Sequence, residues 1–135
     1  MQESDVRDRL ISAGIQPSAQ RLAVGAFVFD SCAHPSADEV FAAVGSTANG
    51  SLSRATVYNT LHLFAEKGLL QELVLAEGRV VYDPKMAPHH HFVDDDTGAI
   101  EDVDFDAVSV SQARELPGLA VRELQVVLRG RRRQP

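Results

Sequence analysis

Residues 88–102 read PHHHFVDDDTGAIED: three consecutive histidines, a run of carboxylates, a turn and further carboxylates. Imidazole nitrogen and carboxylate oxygen are donors for divalent metal ions, so the chemistry this stretch can do is metal binding. On a strand the side chains alternate, which puts His89 and His91 on one face and His90 on the other. Two imidazoles at i and i+2 make a ready metal pair. The facing strand offers Asp102, and Asp83 stands just before the run. The alternative is a solvated histidine run beside a solvated acidic turn. Carboxylates on both sides of the histidines, next to a break in composition, favour the metal.

The donor set has to be nitrogen and oxygen. The single cysteine, Cys32 in VFDSCAHPS, allows neither an internal disulfide nor a thiolate cluster within one chain. The 135 residues fit one compact unit or two small halves, and 44% hydrophobic residues supply a core of ordinary size. No apolar run approaches the roughly 20 residues that span a bilayer. The charged start MQESDVRDRL is unlike a signal peptide, so a cytoplasmic location without membrane attachment is expected.

Helices must come first in the elements that position these residues. SDVRDRLISAG has Ser4 as a candidate cap, Val6, Leu10 and Ile11 at helical spacing, and Gly14 as a stop. PSAQRLAVGAFVFDS offers Ser18 as cap and Leu22, Val24, Phe27 and Val28 for burial. PSADEVFAAVGS carries a capping box, Ser36 with Glu39. After the small polar stretch TANGSL, SRATVYNTLHLFAEKGLL has Ser53 as cap, Val57, Leu61 and Phe64 turned inward, and Gly68 past its end. LQELVLAEGRVVYDP then alternates on both sides of a turn holding Gly78, a hairpin signature. Helices followed by a two-stranded hairpin make a winged helix-turn-helix, whose fourth helix enters the major groove.

Inward placement of Val57, Leu61 and Phe64 leaves Arg54, Thr56, Tyr58, Asn59 and His62 near the outer surface. Such side chains meet base edges, thymine methyls and phosphates. The formal charge of −6 points the other way, since phosphate binders are usually basic. The acidic residues, however, crowd into 94–106, while Arg54 and Lys67 flank the fourth helix and Arg129, Arg131, Arg132 and Arg133 close the chain. Local fields decide what approaches a surface.

PKMAPHHH reads as a hinge. Beyond it, HHHFV and AIEDV are strands joined by DDDTG, FDAVSVSQAREL is a helix broken by PG, and LAVRELQVVLRG has strand character. The chain is therefore α+β: a winged-helix DNA-binding domain over 1–83, a hinge at 84–88 and an α/β domain over 89–135. About fifty residues make a thin core, so the second domain is expected to dimerise.

The segments AQRLAV, HPSADEVFAAV, SRATVYNTLHLFAEKGLL, RVVYDPKMAPHHHFVDDDTGAIEDVD and VRELQVVLRG, in that order, resemble the ferric uptake regulator (Fur) family over essentially the whole chain. The resemblance implies a winged-helix domain, a C-terminal dimerisation domain and metal-dependent binding of homodimers to double-stranded DNA with inverted-repeat operators. It places the regulatory metal on His34, Asp83, His89, His91 and Asp102. Arg21, in AQRLAV, joins Arg54, Thr56, Tyr58 and Asn59 as a DNA contact.

Two departures from the family stand out. Many relatives hold a structural zinc with two Cys-x-x-Cys pairs; here the first pair aligns with Asp94 and Thr97 and the second falls near Arg131, so a four-cysteine zinc is excluded. A second metal would need other ligands, such as His90 or Asp94. Asn59 also stands where an arginine is common, which puts the operator sequence in question.

Three imidazoles and two carboxylates suit Fe²⁺ or Mn²⁺, with Zn²⁺ as an occupant on purification. Asp102 matches peroxide-sensing repressors. The missing cysteine pairs and HHHF also resemble haem-responsive iron response regulators, in which His90 would bind haem. Outside the family, two histidines and a carboxylate could serve a small non-haem metalloenzyme, and an acidic dimeric interaction module without DNA is a third reading.

Overall fold

A computed structural model describes residues 1–47 and 50–134; part of TANGSL lies outside the described residues. The chain divides into two compact units, Met1–Met86 and Ala87–Pro135.

The first unit runs α1 (Glu3–Ser12), α2 (Ala19–Val28), α3 (Ala37–Val44), a short pair β1 (Ser46–Thr47) and β2 (Gly50–Ser51), α4 (Arg54–Glu66), then the antiparallel hairpin β3 (Gln71–Val74) and β4 (Val80–Asp83). Capping fixes most of the starts. The Ser18, Ser36 and Ser53 hydroxyls accept from the backbone N–H groups of Arg21, Glu39 and Thr56, and Glu39 returns the bond to Ser36. The first helix corrects the expectation: its cap is Gln2, boxed with Asp5, and Ser4 lies inside the helix. Gly14 and Gly68 end α1 and α4 with positive φ, 77° and 79°.

Val6, Leu10, Val24, Val28, Val40, Val57, Leu61 and Phe64 form one core, each almost fully buried. Burial of such side chains stabilises by about 1.5–3 kcal/mol each. Gly25 belongs to this packing: a Cβ there would stand 2.8 Å from Val6 Cγ1 and 2.9 Å from Phe29 Cε2. Phe27, expected inside, is exposed; one residue before Val28 on a helix it falls outside the buried stripe, and Phe29 takes the aromatic place against Phe64, ring centroids 5.1 Å apart. Leu22 is half-buried against the core.

The second unit is a three-stranded sheet in the order β6 (Ile100–Asp104), β5 (His89–Asp94), β7 (Val127–Gly130). β5 and β6 pair antiparallel with His91 opposite Asp102; β5 and β7 run parallel with His91 opposite Val127. The helix expected over 105–116 is not formed. Two 3₁₀ turns, Phe105–Ala107 and Ala113–Glu115, stand there instead. The segment lacks a side-chain cap at either turn, and Val108 and Val110 carry β-branched side chains that disfavour helix. Strand structure in LAVRELQVVLRG is likewise confined to its last four residues. Among the described residues no helix is long and apolar enough to cross a membrane.

Candidate metal centre and nucleic-acid interface

The strand alternation works as the sequence requires. His89 and His91 share one face, ring centroids 4.5 Å apart, and their Nε2 atoms lie 3.2 Å and 3.4 Å from the same oxygen, Oδ1 of Asp102. Both rings are buried, and the Asp102 side chain is about one-third exposed. His89 Nδ1 stands 2.7 Å from the carbonyl oxygen of Ala87. A carbonyl can only accept, so Nδ1 is placed to donate there, and Nε2 is the ring atom that can meet a cation beside the carboxylate. The backbone carbonyl behind Nδ1 is the usual outer support of a metal-binding imidazole. The donor set thus fits a divalent metal.

His90 lies on the opposite face. Its Nδ1 accepts from the backbone N–H of Val126 at 2.9 Å, its ring stacks on Phe105 at 4.9 Å, and its buried Nε2 has no hydrogen-bond partner among the described residues. Val126 also accepts from the His91 N–H through its carbonyl, so the histidine strand holds the entry to β7. Asp94 is engaged in the β5–β6 turn, where Oδ1 accepts from the N–H groups of Asp96 and Thr97.

The first unit carries its own nitrogen and oxygen pair. His34 precedes Pro35 in the loop before α3 and Asp83 ends β4. His34 Nε2 lies 3.1 Å from Asp83 Oδ2, both side chains being 4% exposed, while Asp83 Oδ1 accepts from the N–H of Lys85. The Tyr82 N–H donates to the carbonyl of Pro35, which stitches the His34 loop to the strand carrying Asp83. Burial raises the Tyr82 phenol above its ordinary pKa, with Glu72 and then Tyr58 adding to the shift.

On α4, Val57, Thr60, Leu61 and Phe64 face the core and Arg54, Tyr58, Asn59 and His62 are exposed. Thr56 is half-buried with its hydroxyl 2.8 Å from that of Ser53. Arg21, half-buried at the start of α2, donates to the carbonyl of Gln16.

Residues 12–128 match the model of the ferric uptake regulator family. The peroxide operon regulator of Bacillus subtilis (strain 168) is 33% identical over 110 residues, 81% of this chain and 73% of that protein. The chain belongs to the ferric uptake regulator family. It is accordingly a metal-dependent transcriptional regulator. The peroxide-responsive repressor PerR of Staphylococcus epidermidis is 31% identical over 79% of this chain and 69% of its own length. Among solved structures, the Campylobacter jejuni peroxide stress regulator is 25% identical with a TM-score of 0.69, covering 97% of this chain and 96% of that one. The Vibrio cholerae ferric uptake regulator, 22% identical, shares the fold with a TM-score of 0.74 over 93% and 98% of the two chains.

Two features around the hairpin and the exposed face of α4 are not marked by any local sequence signal of their own. Arg79 stands exposed at the tip of the β3–β4 hairpin, after Glu77 and Gly78 at φ 62° and 73°. The turn signal AEGR contains it, and a cation at a wing tip suits phosphate. The second is Asp38 on α3, which accepts from both Arg54 and Tyr58. No spacing rule links α3 to α4 from sequence alone.

Proposed function

We propose that this chain is a peroxide-sensing repressor that binds an inverted-repeat operator as a homodimer when one Fe²⁺ or Mn²⁺ is held by His34, Asp83, His89, His91 and Asp102. The carrying observation is the pair of Nε2 atoms, from His89 and His91, that face one oxygen of Asp102. His34 with Asp83 supplies a buried pair of the same chemistry in the first unit. A metal gripping donors from both units would favour one conformation of the chain over others, and that is how binding a small ion becomes DNA affinity.

Dimerisation through the second unit is supported by its thin core. Of the buried apolar side chains only Val93 and Ile100 lie beyond Met86 among the described residues, while Val110, Leu116, Leu119 and Leu128 are exposed. DNA contact is assigned to Arg54, Thr56, Tyr58, Asn59 and Arg21, with Arg79 added. The location is cytoplasmic.

Fe²⁺ held by these five residues would supply the electron that reduces peroxide, which Mn²⁺ would yield far less readily. The imidazoles of His34 and His89 would be the nearest oxidisable groups, and their loss would open the clamp. The regulators named for peroxide among the relatives support this signal over iron or haem. Haem at His90 is disfavoured because that ring is 1% exposed and its Nδ1 already accepts from Val126. The metalloenzyme reading leaves the exposed polar face of α4 without a role.

Gel retention of genomic fragments with and without Mn²⁺ tests the proposal. Metal-dependent retention of particular fragments is expected; retention of none, or of all alike, overturns it.

A further inference from the structure

Asp38 and Phe41 stand at i and i+3 on α3, and Arg54 and Tyr58 at i and i+4 on α4. Spacings of three and four put each pair on one face of its helix. Asp38 Oδ1 forms an ion pair with Arg54 Nη1 and accepts from the Tyr58 hydroxyl at 3.2 Å. The Arg54 guanidinium also lies over the Phe41 ring, 4.7 Å from its centroid. One carboxylate and one ring of the supporting helix therefore grip two neighbouring side chains of the helix read above as DNA-facing.

Fold stability does not account for this arrangement. Both charged side chains are more than half exposed, 59% and 66%, and ion pairs that open to solvent contribute little. A carboxylate beside a phosphate-binding surface is also unfavourable by itself. What the contacts do accomplish is direction. Arg54 and Tyr58 have long side chains whose ordering would otherwise oppose binding, and a fork already held on one side presents its remaining N–H groups along a fixed line.

We propose that Asp38 is a specificity-determining positioning residue: it aims Arg54 and Tyr58 so that operator DNA is distinguished from random duplex. The proposal rests on the reading of α4 as the DNA-binding helix. It predicts that the carboxylate acts through its acceptor oxygen, not through its charge.

The test compares wild type, Asp38→Ala and Asp38→Asn, each as full-length Mn²⁺-loaded protein. Two probes are used: a duplex selected from a random pool by the wild type, and a random duplex of equal length. Asp38→Ala is expected to lower the ratio of selected to random affinity by roughly tenfold, the scale of one lost base contact. Affinity for random duplex should hold or rise, because a negative charge is removed. Asp38→Asn keeps an oxygen that can accept from Arg54 and Tyr58, and should recover most of the ratio. Thermal unfolding of the three proteins, expected to coincide within a few degrees, separates misfolding from misdirection.

An unchanged ratio in Asp38→Ala overturns the proposal. So does an Asp38→Asn variant as poor as the alanine, which would make the charge itself responsible. Failure of the wild type to select any duplex removes the DNA reading beneath it, an outcome distinct from both.

Discussion

His34 Nε2 lies 3.1 Å from Oδ2 of Asp83, a residue 49 positions further along the chain. The contact is made from a backbone that residues other than glycine seldom adopt, although histidine adopts it more readily than most: His34 has φ of 51°, in the left-handed region. Such a conformation costs on the order of 1–3 kcal/mol and persists where its surroundings impose it, often at functional sites. Next to it, the bond from the Tyr82 N–H to the Pro35 carbonyl ties the loop to the strand carrying Asp83.

His34→Ala keeps the chain path and deletes the imidazole. Metal affinity is expected to fall by more than about tenfold, near 1.4 kcal/mol, and operator binding to disappear. The dimer should persist, because His34 lies in the first unit and the exposed apolar side chains expected to pair lie in the second. Metal titration, gel retention and size-exclusion chromatography read the three effects separately. A variant that still binds operator in a metal-dependent way would remove His34 from the site.

Asn59 is exposed on α4 next to Tyr58, where a bidentate amide can meet an adenine. Asn59→Ala should weaken specific binding by about 1–3 kcal/mol. Titration against selected and random duplexes decides its role. Equal losses on both would make it a backbone contact without sequence information.

Chelation should leave the dimer whole. With one cysteine in the chain, the segments where the resemblance would put a structural zinc are tied by other chemistry: the Asp94 carboxylate ties the β5–β6 turn, Asp94 pairs with Gly130 in the sheet, and ion pairs join Arg131 to Asp96 and Arg132 to Glu101. These exposed ion pairs are screened by salt, each worth at most about 1 kcal/mol. Arg131→Ala combined with Arg132→Ala should therefore lower the unfolding midpoint slightly in dilute buffer and not at all in 1 M salt, where the Debye length is about 3 Å. Dissociation to monomers on exhaustive chelation would reveal a structural metal that holds the dimer.

Brief exposure to peroxide should add one oxygen to His34 or His89 in the Fe²⁺-loaded protein and spare the Mn²⁺-loaded one. Mass spectrometry of tryptic peptides reports the position, and loss of operator binding should follow the same time course. Oxidation confined to Met1, Met86 and Cys32, alike with either metal, contradicts peroxide sensing. Tight haem binding lost in a His90 variant would favour the haem-responsive reading.

Local rules were enough for much of this molecule. Serine caps at 18, 36 and 53, the inward triad of Val57, Leu61 and Phe64, and the turn at Gly78 are set by neighbours within a few residues, so the sequence determined them by itself. Alternation along HHHFV likewise separates His90 from His89 and His91, because the strand period is two. Contacts between distant segments had to await the tertiary structure. The grip of Asp38 on Arg54 and the register that sets His91 opposite Asp102 depend on packing and pairing. So does the exposure of Phe27, where an apolar residue lost its place in the core to Phe29. The helix expected over 105–116 belongs to the same class: uncapped and carrying β-branched residues, the segment folds as two 3₁₀ turns.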